Sequence, residues 1–403
     1  MRILHLNATA NWGSTGKIAE GIGNAVKSRG WENFIAYGRY ENPGRSVHLR
    51  VGNDLDVYRH YALSKIFDRE GQGSKNPTRK LIKQIREEIK PDIIHLHNIH
   101  DHWLNFPEFF QFLLSIETPM VWTFHDCWAF TGGCGHFVDL NCEEWKKDCQ
   151  KCKRTGLILN RSRKNLKLKT DLIRGLGDRL RITSVSQWLD SLVGKSLLKE
   201  LSHEVIHNGI DTKVFKPILS KEIDHKFNIK NKKILLGVSN VWPPYKGFKD
   251  YIELSKLLDD NFTIILVGLP EKLMRDLPER IIGLPRTQNT QELVSLYSRA
   301  DAVLSLSKTE TFGLTLVEGL ACGTPSIGYA STATNEIISE DIGIKVEPGN
   351  IKELKEAVDF LISNKPFSSD ICRQTALNKY NQEIQFNKYV DLYEELIESR
   401  NRK

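Results

Sequence analysis

The chain has 403 residues, of which 40% are hydrophobic and 27% are charged, and its net charge is +7. This composition excludes an intrinsically disordered chain, and the length favours two domains over one. No run of eighteen apolar residues occurs, so we expect no membrane span, and we do not expect the polar N-terminus to act as a signal peptide. We therefore expect a cytoplasmic protein, or one on the cytoplasmic face of a membrane.

Apolar runs alternate with amphipathic stretches along the first half of the chain. Ile18, Ile22 and Val26 recur four residues apart and predict one face of a first helix. The alternation predicts βα units and a parallel sheet. The predicted strands are residues 2–8, 34–39, 92–97, 119–126, 181–186 and 203–211.

The same rhythm restarts after residues 212–225, which join the two halves. The predicted strands of the second half are residues 233–240, 262–268, 302–307 and 324–330. Two successive series of this kind predict an α/β protein with two Rossmann-like domains whose parallel sheets face a cleft. We place the domains at residues 1–212 and 213–384, followed by a C-terminal helix, 385–403, that is long enough to return to the first domain.

The first glycine-bearing turn, residues 11–17, has the composition of a phosphate loop but not its spacing. Only two residues separate Gly13 from Gly16, and Ile18 follows Lys17, so a Walker nucleotide site is excluded. The turn instead predicts a close approach of an anionic group to the backbone near Gly13, at a helix N-terminus. A plain tight turn is the alternative.

Two further residues lie where parallel sheets bind ligands, outside the carboxyl ends of strands. His125 ends the strand 119–126 and is either a ligand for a sugar hydroxyl or a satisfied core histidine. Lys246 precedes Gly247 at the start of the first helix of the second half. A lysine there is suited to neutralise a diphosphate, and an exposed lysine at a helix start is the alternative.

The strongest signal is the segment 308–319, KTETFGLTLVEG, in which Glu310 lies in a loop and Glu318 lies on the helix that follows. A carboxylate at Glu318 suits a ribose diol, whereas Glu310 can reach the sugar. Two surface glutamates on an ordinary amphipathic helix are the alternative. The first turn of this helix offers unsatisfied N–H groups, an anion site, from Gly313, Leu314 and Thr315.

At this motif the chain resembles the retaining glycosyltransferases of family 4, which have the GT-B fold. Residues 205–217, VIHNGIDTKVFKP, are similar to the interdomain signature of that family, and residues 310–325 to its donor motif, with Gly319 where alanine is more common. The resemblance covers nearly the whole chain. It implies transfer of a sugar with retention from a nucleoside-diphosphate sugar, with UDP-sugar favoured over GDP-sugar and no catalytic cofactor.

The resemblance also implies residue roles, with the donor in the second domain and the acceptor in the first. Glu310 and His125 become catalytic contacts to the transferred sugar, Lys246 holds the diphosphate and Glu318 the ribose. The loop 239–245 lacks the basic residue that is common in the family, so Arg286 or backbone N–H groups must replace it. The implied donor-binding residues are Lys246, Phe312, Gly313, Leu314, Thr315, Glu318 and Gly13.

A loop at residues 131–155 contains four of the seven cysteines, Cys134, Cys142, Cys149 and Cys152. Cys149 and Cys152 have chelating spacing, so the cluster predicts a structural zinc site. Free thiols and disulfides are the alternatives, and His136 is a substitute ligand. Within family 4 this loop resembles the branch that builds bacterial surface polysaccharides, including colanic-acid-type enzymes. The implied acceptor is a glycan or a polyprenyl-diphosphate-linked sugar.

Two charged segments complete the sequence. The motif Asp54-Leu55-Asp56 has the Asp-x-Asp form of some metal sites, but no apolar strand precedes it, and we interpret it as surface. A second segment is basic and predicts either a solvated helix face or a patch for anionic lipid or a pyrophosphate-linked acceptor at the membrane, and nucleic acid is not expected. Its eight basic residues are Arg161, Arg163, Lys164, Lys167, Lys169, Arg174, Arg179 and Arg181.

Two other functions fit a two-domain protein with a nucleotide site. A sugar-nucleotide epimerase shares this architecture, but the Glu-x7-Glu spacing of Glu310 and Glu318 favours transfer. A non-catalytic sugar-binding protein would be expected to lack the motif carboxylates, and both are present.

Overall fold

The computed structural model describes residues 1–150, 152, 158–219 and 222–402. The chain divides into two compact units, the first comprising Met1–His207 with Gln385–Lys403 and the second Asn208–Ile384. The predicted loop 131–155 and the predicted connection 212–225 each lie partly outside the described residues. Among the helices of the described ranges, none has the length and apolar character that crossing a bilayer requires.

The first unit contains a seven-stranded parallel sheet in the order β3-β2-β1-β4-β5-β6-β7. The sequence analysis did not predict β3, because this short edge strand is not apolar and has no buried residue. The strands are β1 Arg2–Leu6, β2 Glu32–Tyr37, β3 Val47–Arg50, β4 Ile93–Leu96, β5 Met120–Phe124, β6 Leu180–Ser184 and β7 His203–Val205.

Helices cover this sheet, and polar residues fix where several of them begin. Asn53, Asn105 and Ser186 each accept a hydrogen bond from a backbone N–H in the first turn of the helix that follows, which satisfies one of the free N–H groups there. The helices are α1 Gly13–Ser28, α2 Asp54–Phe67, α3 Lys75–Gln84, α4 Phe106–Leu114, α5 Ser162–Arg174 and α6 Gln187–Val193.

The second unit contains a six-stranded parallel sheet in the order β10-β9-β8-β11-β12-β13. The short strands β10 and β13 were not predicted, because only part of each is buried. The strands are β8 Lys233–Val238, β9 Phe262–Val267, β10 Ile281–Leu284, β11 Ala302–Ser305, β12 Ser326–Tyr329 and β13 Gly343–Val346.

Eight helices of the described residues accompany the second sheet. They are α7 Glu222–Phe227, α8 Phe248–Leu257, α9 Glu271–Met274, α10 Thr290–Arg299, α11 Leu314–Ala321, α12 Thr334–Ile337, α13 Ile351–Asn364 and α14 Ser369–Tyr380.

The last helix, α15 Gln382–Arg402, contributes its residues from Gln385 onward to the first unit. Two buried tyrosines fasten it to the first sheet. The hydroxyl of Tyr393 lies 2.5 Å from Nδ1 of His95, and that of Tyr389 lies 3.1 Å from Oγ1 of Thr123. Arg29, the residue after α1, adds exposed ion pairs to the same helix.

The predicted fold class is confirmed, since both sheets are parallel and have Rossmann-like strand order. In each sheet the order reverses beside the first strand, between β1 and β4 in one unit and between β8 and β11 in the other. Ligands of such sheets bind outside the carboxyl ends of the strands at this switch point. The loops after β1, β4, β8 and β11 are therefore the places to look for a site.

Candidate functional site

Two of the predicted donor residues meet at the switch point of the second sheet. Lys246 follows β8 and Glu310 follows β11, and these strands are paired neighbours. Nζ of Lys246 and Oε1 of Glu310 form an ion pair, with side-chain exposures of 20% and 17%. The N–H of Lys308 also donates to the carbonyl of Tyr245 at 2.8 Å. The two loops are thus joined through both backbone and side chains.

Gly247 lets the Lys246 loop approach β11 closely. Its φ is +75°, and an added Cβ would lie 2.1 Å from the carbonyl oxygen of Leu306. Any other residue would be strained and would also push the loop away from the strand. Gly247 therefore keeps Lys246 beside Glu310.

The helix α11 begins next to Glu310 and offers unsatisfied donors. Gly313 precedes its first residue with a φ of +101° and provides no side-chain cap. Phe312 is only 3% exposed as a whole residue, and its predicted contact with the donor stays a prediction. In the described part of the chain, no hydrogen-bond acceptor faces the backbone N–H groups of Gly313, Leu314 and Thr315. This arrangement is an anion site of the expected kind.

Two residues that the sequence analysis did not identify fix the motif glutamates. The N–H of Glu310 donates to Oγ1 of Thr332 at 2.8 Å. The hydroxyl of Tyr297 donates to Oε2 of Glu318 at 2.7 Å. Burial, followed by the charge of Glu318, raises the pKa of Tyr297 well above its usual value, so the tyrosine stays a donor. Only the folded chain brings Thr332 and Tyr297 to the glutamates, because each lies more than twenty residues away.

Arg286 does not join this group. It is exposed and follows the edge strand β10, and β9 separates β10 from β8. In the loop that lacks a basic residue, the indole N–H of Trp242 donates to the carbonyl of Val267 at 3.1 Å, which holds the loop against β9. The position of Arg286 gives no support to the prediction that it replaces the missing charge.

In the first unit, Gly13 opens α1 directly after β1, at the other switch point. Its φ is +65°, and an added Cβ would have no atom within 4 Å. The close approach is at Gly16 instead, where a Cβ would lie 2.6 Å from Oγ1 of Thr9. Gly13 is thus required by the turn, and the space beside it is open.

His125 follows β5 at the same edge of the first sheet and is 8% exposed. Its Nε2 lies 3.1 Å from Nδ1 of His97, so its interpretation as a satisfied histidine and its interpretation as a site residue are compatible. Burial lowers the pKa of His125 to about 4, which makes it neutral near pH 7.

The sequence analysis did not identify a group of buried histidines behind His125. His5 on β1 and His95 on β4 face each other in the sheet register, and His97 follows β4. All three are at most 1% exposed. The alternating His-Leu-His at the end of β4 was the available signal, because alternate residues of a strand share a face.

A charged group lies beside His125 at the same edge. Nε2 of His100 lies 2.8 Å from Oδ2 of Asp126, and its Nδ1 lies 3.2 Å from Oδ1 of Asp101. Burial opposes protonation of His100, but the charges of Asp126 and Asp101 outweigh it and raise the pKa of His100 well above its usual value. His100 is therefore an imidazolium held between two carboxylates.

The four clustered cysteines line one small cavity of about 10 Å³, together with Phe137 and Trp145. None of the four forms a disulfide within the described residues, and burial raises the pKa of Cys149 to about 11. Among the described residues, only His5, His95 and His97 bring three metal-ligating atoms within 4.8 Å of one another. The thiol geometry therefore does not by itself support the predicted zinc, which stays a prediction. Lys151, inside the Cys149–Cys152 spacing, lies outside the described residues.

In the basic segment 161–181, some charges have partners within the first unit, whereas Arg163 and Lys167 are 65% and 77% exposed, so both interpretations of the segment stay open. Lys169 is 3% exposed and lies 3.8 Å from the ring centroid of Trp128. Arg179 donates to the carbonyls of Leu113 and Ile116. Ion pairs with acidic side chains engage Arg163, Lys167 and Arg181.

The Asp54-Leu55-Asp56 motif lies in the exposed first turn of α2, as expected for a surface segment. Asp56 completes a capping box with Asn53, and Asp54 pairs with Arg50. Helix capping accounts for the carboxylate of Asp56, and the ion pair with Arg50 accounts for that of Asp54.

Comparison with known proteins adds family matches to this geometry. The model of glycosyltransferase family 4 matches residues 17–214, and the model of glycosyl transferases group 1 matches residues 220–381. A putative colanic acid biosynthesis glycosyl transferase, WcaC of Escherichia coli K12, is 24% identical over 98% of this chain and 100% of its own length. N-acetyl-alpha-D-glucosaminyl L-malate synthase of Bacillus anthracis is 24% identical over 54% of this chain and 60% of its own.

Solved structures share the fold over the full length. A sucrose-phosphate synthase from Thermosynechococcus elongatus superposes with a TM-score of 0.74 and 15% identity, covering 99% of each chain. Anabaena HepE, solved in complex with UDP-glucose, superposes with a TM-score of 0.67 and 15% identity, covering 98% of this chain and 100% of its own. These similarities identify the fold as GT-B.

Proposed function

The chain belongs to glycosyltransferase family 4, whose members are retaining, metal-independent enzymes. From this premise we propose that it transfers a sugar from a UDP-sugar to a glycan or a lipid-linked acceptor. We propose that this transfer is a step of bacterial surface-polysaccharide synthesis. The observation that carries the proposal is the meeting of Lys246, Glu310 and the N-terminus of α11 at the switch point of the second sheet.

Each part of this site suits one part of a nucleoside-diphosphate sugar. Lys246 and the N–H groups of residues 313–315 suit the diphosphate, whose charge increases as the sugar leaves. Glu318, oriented by Tyr297, suits the ribose diol, because one carboxylate can accept hydrogen bonds from both hydroxyls of a diol. Glu310 suits the transferred sugar. Donor binding would replace its ion pair with Lys246 by contacts of both residues to the ligand.

The first unit is proposed to bind the acceptor and one face of the transferred sugar. Gly13 has open space beside the N-terminus of α1, and His125 lies at the same edge of the sheet. Similarity to the colanic acid enzyme over the full chain supports a surface-polysaccharide acceptor. The complex of HepE with UDP-glucose supports UDP as the donor nucleotide, with GDP as the alternative.

Peripheral contact with a membrane is proposed on α2. Leu55, Tyr58 and Tyr61 on α2 are 56%, 71% and 48% exposed. Ile158, whose N–H donates to the carbonyl of Ile66 at the end of this helix, is 67% exposed. Exposed apolar and aromatic side chains are the groups that a helix inserts at the headgroup boundary of a bilayer.

Co-sedimentation with anionic vesicles tests the membrane proposal. Tyr58→Ser combined with Leu55→Ser is expected to reduce vesicle binding severalfold. Phe360→Ser, which removes an exposed aromatic residue from α13, serves as the matched control and is expected to leave binding unchanged. Equal binding of all three proteins would contradict the proposal.

A panel of nucleotide sugars tests the enzymatic proposal. The preferred UDP-sugar is expected to raise the melting temperature by mass action. Release of UDP is expected to accelerate when a glycan acceptor is added, and NMR of the product is expected to show the anomeric configuration of the donor. An epimerase would instead give an altered sugar without an acceptor, and a binding protein would give stabilisation without turnover. Either result would overturn the proposal.

A further inference from the structure

Three buried imidazoles form a hydrogen-bonded row that ends at His125. Nδ1 of His5 lies 3.0 Å from Nε2 of His97, and Nδ1 of His97 lies 3.1 Å from Nε2 of His125. The successive rings are nearly parallel, at 20° and 22°. Exposure rises from 0% at His5 through 1% to 8% at His125. The row thus runs from the interior of the sheet to its carboxyl edge.

The protons along this row are not independent. Burial holds the pKa of His5 at about 3 and that of His125 at about 4, and it lowers the pKa of His97 well below its usual value. All three rings are therefore neutral near pH 7, and a neutral imidazole has one N–H. If His97 accepts at one nitrogen, it must donate from the other, so both bonds of the row point the same way.

The inner end of the row sets that direction. Nε2 of His5 and Oδ1 of Asn33 are both buried, and neither has a hydrogen-bond partner in the described residues. Nδ2 of Asn33 donates to Oγ of Ser46 at 2.9 Å, which leaves Oδ1 as the acceptor end of the amide. Asn33 also raises the pKa of His5, as a nearby acceptor does. The tautomer of His5 with its proton on Nε2 is therefore favoured. Without that proton, the lone pair of Nε2 would lie near the lone pairs of Oδ1 of Asn33, and the two acceptors would repel each other.

We propose that His5 and His97 are positioning residues that hold His125 in the tautomer with its proton on Nε2, so that the bare Nδ1 accepts a hydrogen bond from a hydroxyl of the transferred sugar. With a proton on Nε2 of His5, its Nδ1 accepts from His97, and Nδ1 of His97 accepts from His125. The role toward the sugar rests on the proposed function, whereas the tautomer is a property of the chain alone.

A metal ion bound by His5, His95 and His97 is the competing explanation for this cluster. Both nitrogens of His95 are already bonded, to the hydroxyl of Tyr393 at 2.5 Å and to Oγ1 of Thr123 at 2.7 Å. Both nitrogens of His97 belong to the row. A metal would have to break bonds of two rings, whereas the hydrogen bonds of the row and of His95 together already use five of the six ring nitrogens of these three histidines. The hydrogen-bonded arrangement therefore fits better.

Nitrogen NMR of the full chain labelled with [15N]histidine tests the tautomer without any substrate. His125, assigned by the loss of its signals in His125→Asn, is expected to show a protonated Nε2 and an unprotonated Nδ1. Asn33→Leu removes the acceptor that sets the direction and is expected to produce a mixture of both tautomers. A proton on Nδ1 of His125 in the wild type, or an unchanged spectrum in Asn33→Leu, would overturn the proposal.

Kinetics of His97 variants test the positioning role. His97→Leu is expected to lower kcat about tenfold and to give a mixture of the two His125 tautomers. In His97→Gln the amide can both donate and accept, so this variant is expected to recover part of the kcat and part of the predicted tautomer. His95→Gln is the matched control, because it removes a buried imidazole of β4 that lies outside the row, and it is expected to preserve the His125 tautomer.

The outcomes separate this proposal from the enzymatic one. If the predicted tautomer is present but no nucleotide sugar is turned over, the proposed function is wrong and the assignment of the His125 tautomer is correct. If His97→Leu mixes the tautomers while kcat stays unchanged, the positioning role fails and the enzyme stands. Should His97→Leu not fold, the wild-type and Asn33→Leu spectra still decide the tautomer.

Discussion

Lys246 and Glu310 form an ion pair across the switch point of the second sheet, although 64 residues separate them in the chain. The pair places the cation for a leaving diphosphate next to the carboxylate proposed for the sugar. The two opposite charges also compensate each other while the donor is absent, so neither partly buried group carries an unpaired charge.

Replacing either member of this pair is expected to reduce transfer strongly. Lys246→Met and Glu310→Gln should each lower kcat/KM for the nucleotide sugar about 100-fold, the scale for losing one electrostatic contact to the developing charge. Lys355→Met, which breaks an ion pair with Asp359 on α13, is the matched control. Near wild-type transfer by Glu310→Gln with a defined donor would show that the site assignment is wrong.

Tyr297 is expected to matter through Glu318. Tyr297→Phe removes the hydroxyl that orients the carboxylate, and a hydrogen bond to a charged group contributes about 1.5 to 3 kcal/mol. The donor KM should therefore rise about tenfold with little change in kcat. Tyr329→Phe provides the control, because it removes a buried hydroxyl bonded to Asp250 in the same unit. Equal donor KM values for the two variants would count against ribose binding by Glu318.

Gly247 is expected to tolerate no side chain. Gly247→Ala would place Cβ 2.1 Å from the carbonyl of Leu306 at a φ of +75°, which should destabilise the second unit by at least about 1 to 3 kcal/mol and weaken donor binding. Gly349→Ala is the control that separates backbone strain from a steric clash. Gly349 has a similar φ of +82°, but the atom nearest to an added Cβ is Nζ of Lys308 at 3.9 Å, so only the strain is present. Urea unfolding of both variants measures the loss of stability that the steric clash adds. Equal unfolding midpoints would show that the clash with the Leu306 carbonyl costs nothing.

The buried histidines predict loss of stability in mild acid. Unfolded histidines bind protons as the pH falls through 6.5, whereas native His125 and His5 do so only near about 4 and 3. The unfolded chain thus binds more protons in this window, and each such histidine lowers the free energy of unfolding by about 1.4 kcal/mol per pH unit. His100 has a raised pKa, so its contribution is fully present below pH 6.5 and does not mask the trend.

Urea unfolding at about pH 7 and pH 5 measures this slope. His95→Gln should reduce it, because burial lowers the pKa of His95 well below its usual value and glutamine binds no proton. Tyr393→Phe removes the hydroxyl bonded to His95 without removing a titrating imidazole, so it should lower stability at both pH values and retain the slope. A slope unchanged in His95→Gln would contradict the prediction.

Zinc bound by Cys134, Cys142, Cys149 and Cys152 would be structural. Purified protein should contain about one equivalent, and a chelator should lower the melting temperature, because bound metal contributes to folding. Cys149→Ser should lose the metal, and Cys372→Ser, a buried cysteine outside the cavity, should retain it. Less than a few tenths of an equivalent, with all thiols reactive after unfolding, would establish the free-thiol alternative.

The sequence by itself determined the class of fold and the donor motif. Strand-like apolar runs and helical periodicity are local properties, so they predicted two parallel α/β series, and the glutamates at 310 and 318 lie close enough for one loop and one helix to fix their spacing. The edge strands β3, β10 and β13 escaped prediction because strands of about four residues that are only partly buried leave little apolar signal.

Tertiary structure alone decided which distant residues complete the sites. Strand order brings the loop of Lys246 to that of Glu310, and it aligns His5, His97 and His125 from three strands. The tertiary structure also shows that three residues of the basic segment, Lys169, Arg179 and Arg181, have hydrogen-bond or ion-pair partners within the first unit. Hydrogen bonds and ion pairs depend on distances of a few ångströms, and a linear pattern does not encode those distances until the sheet order is known.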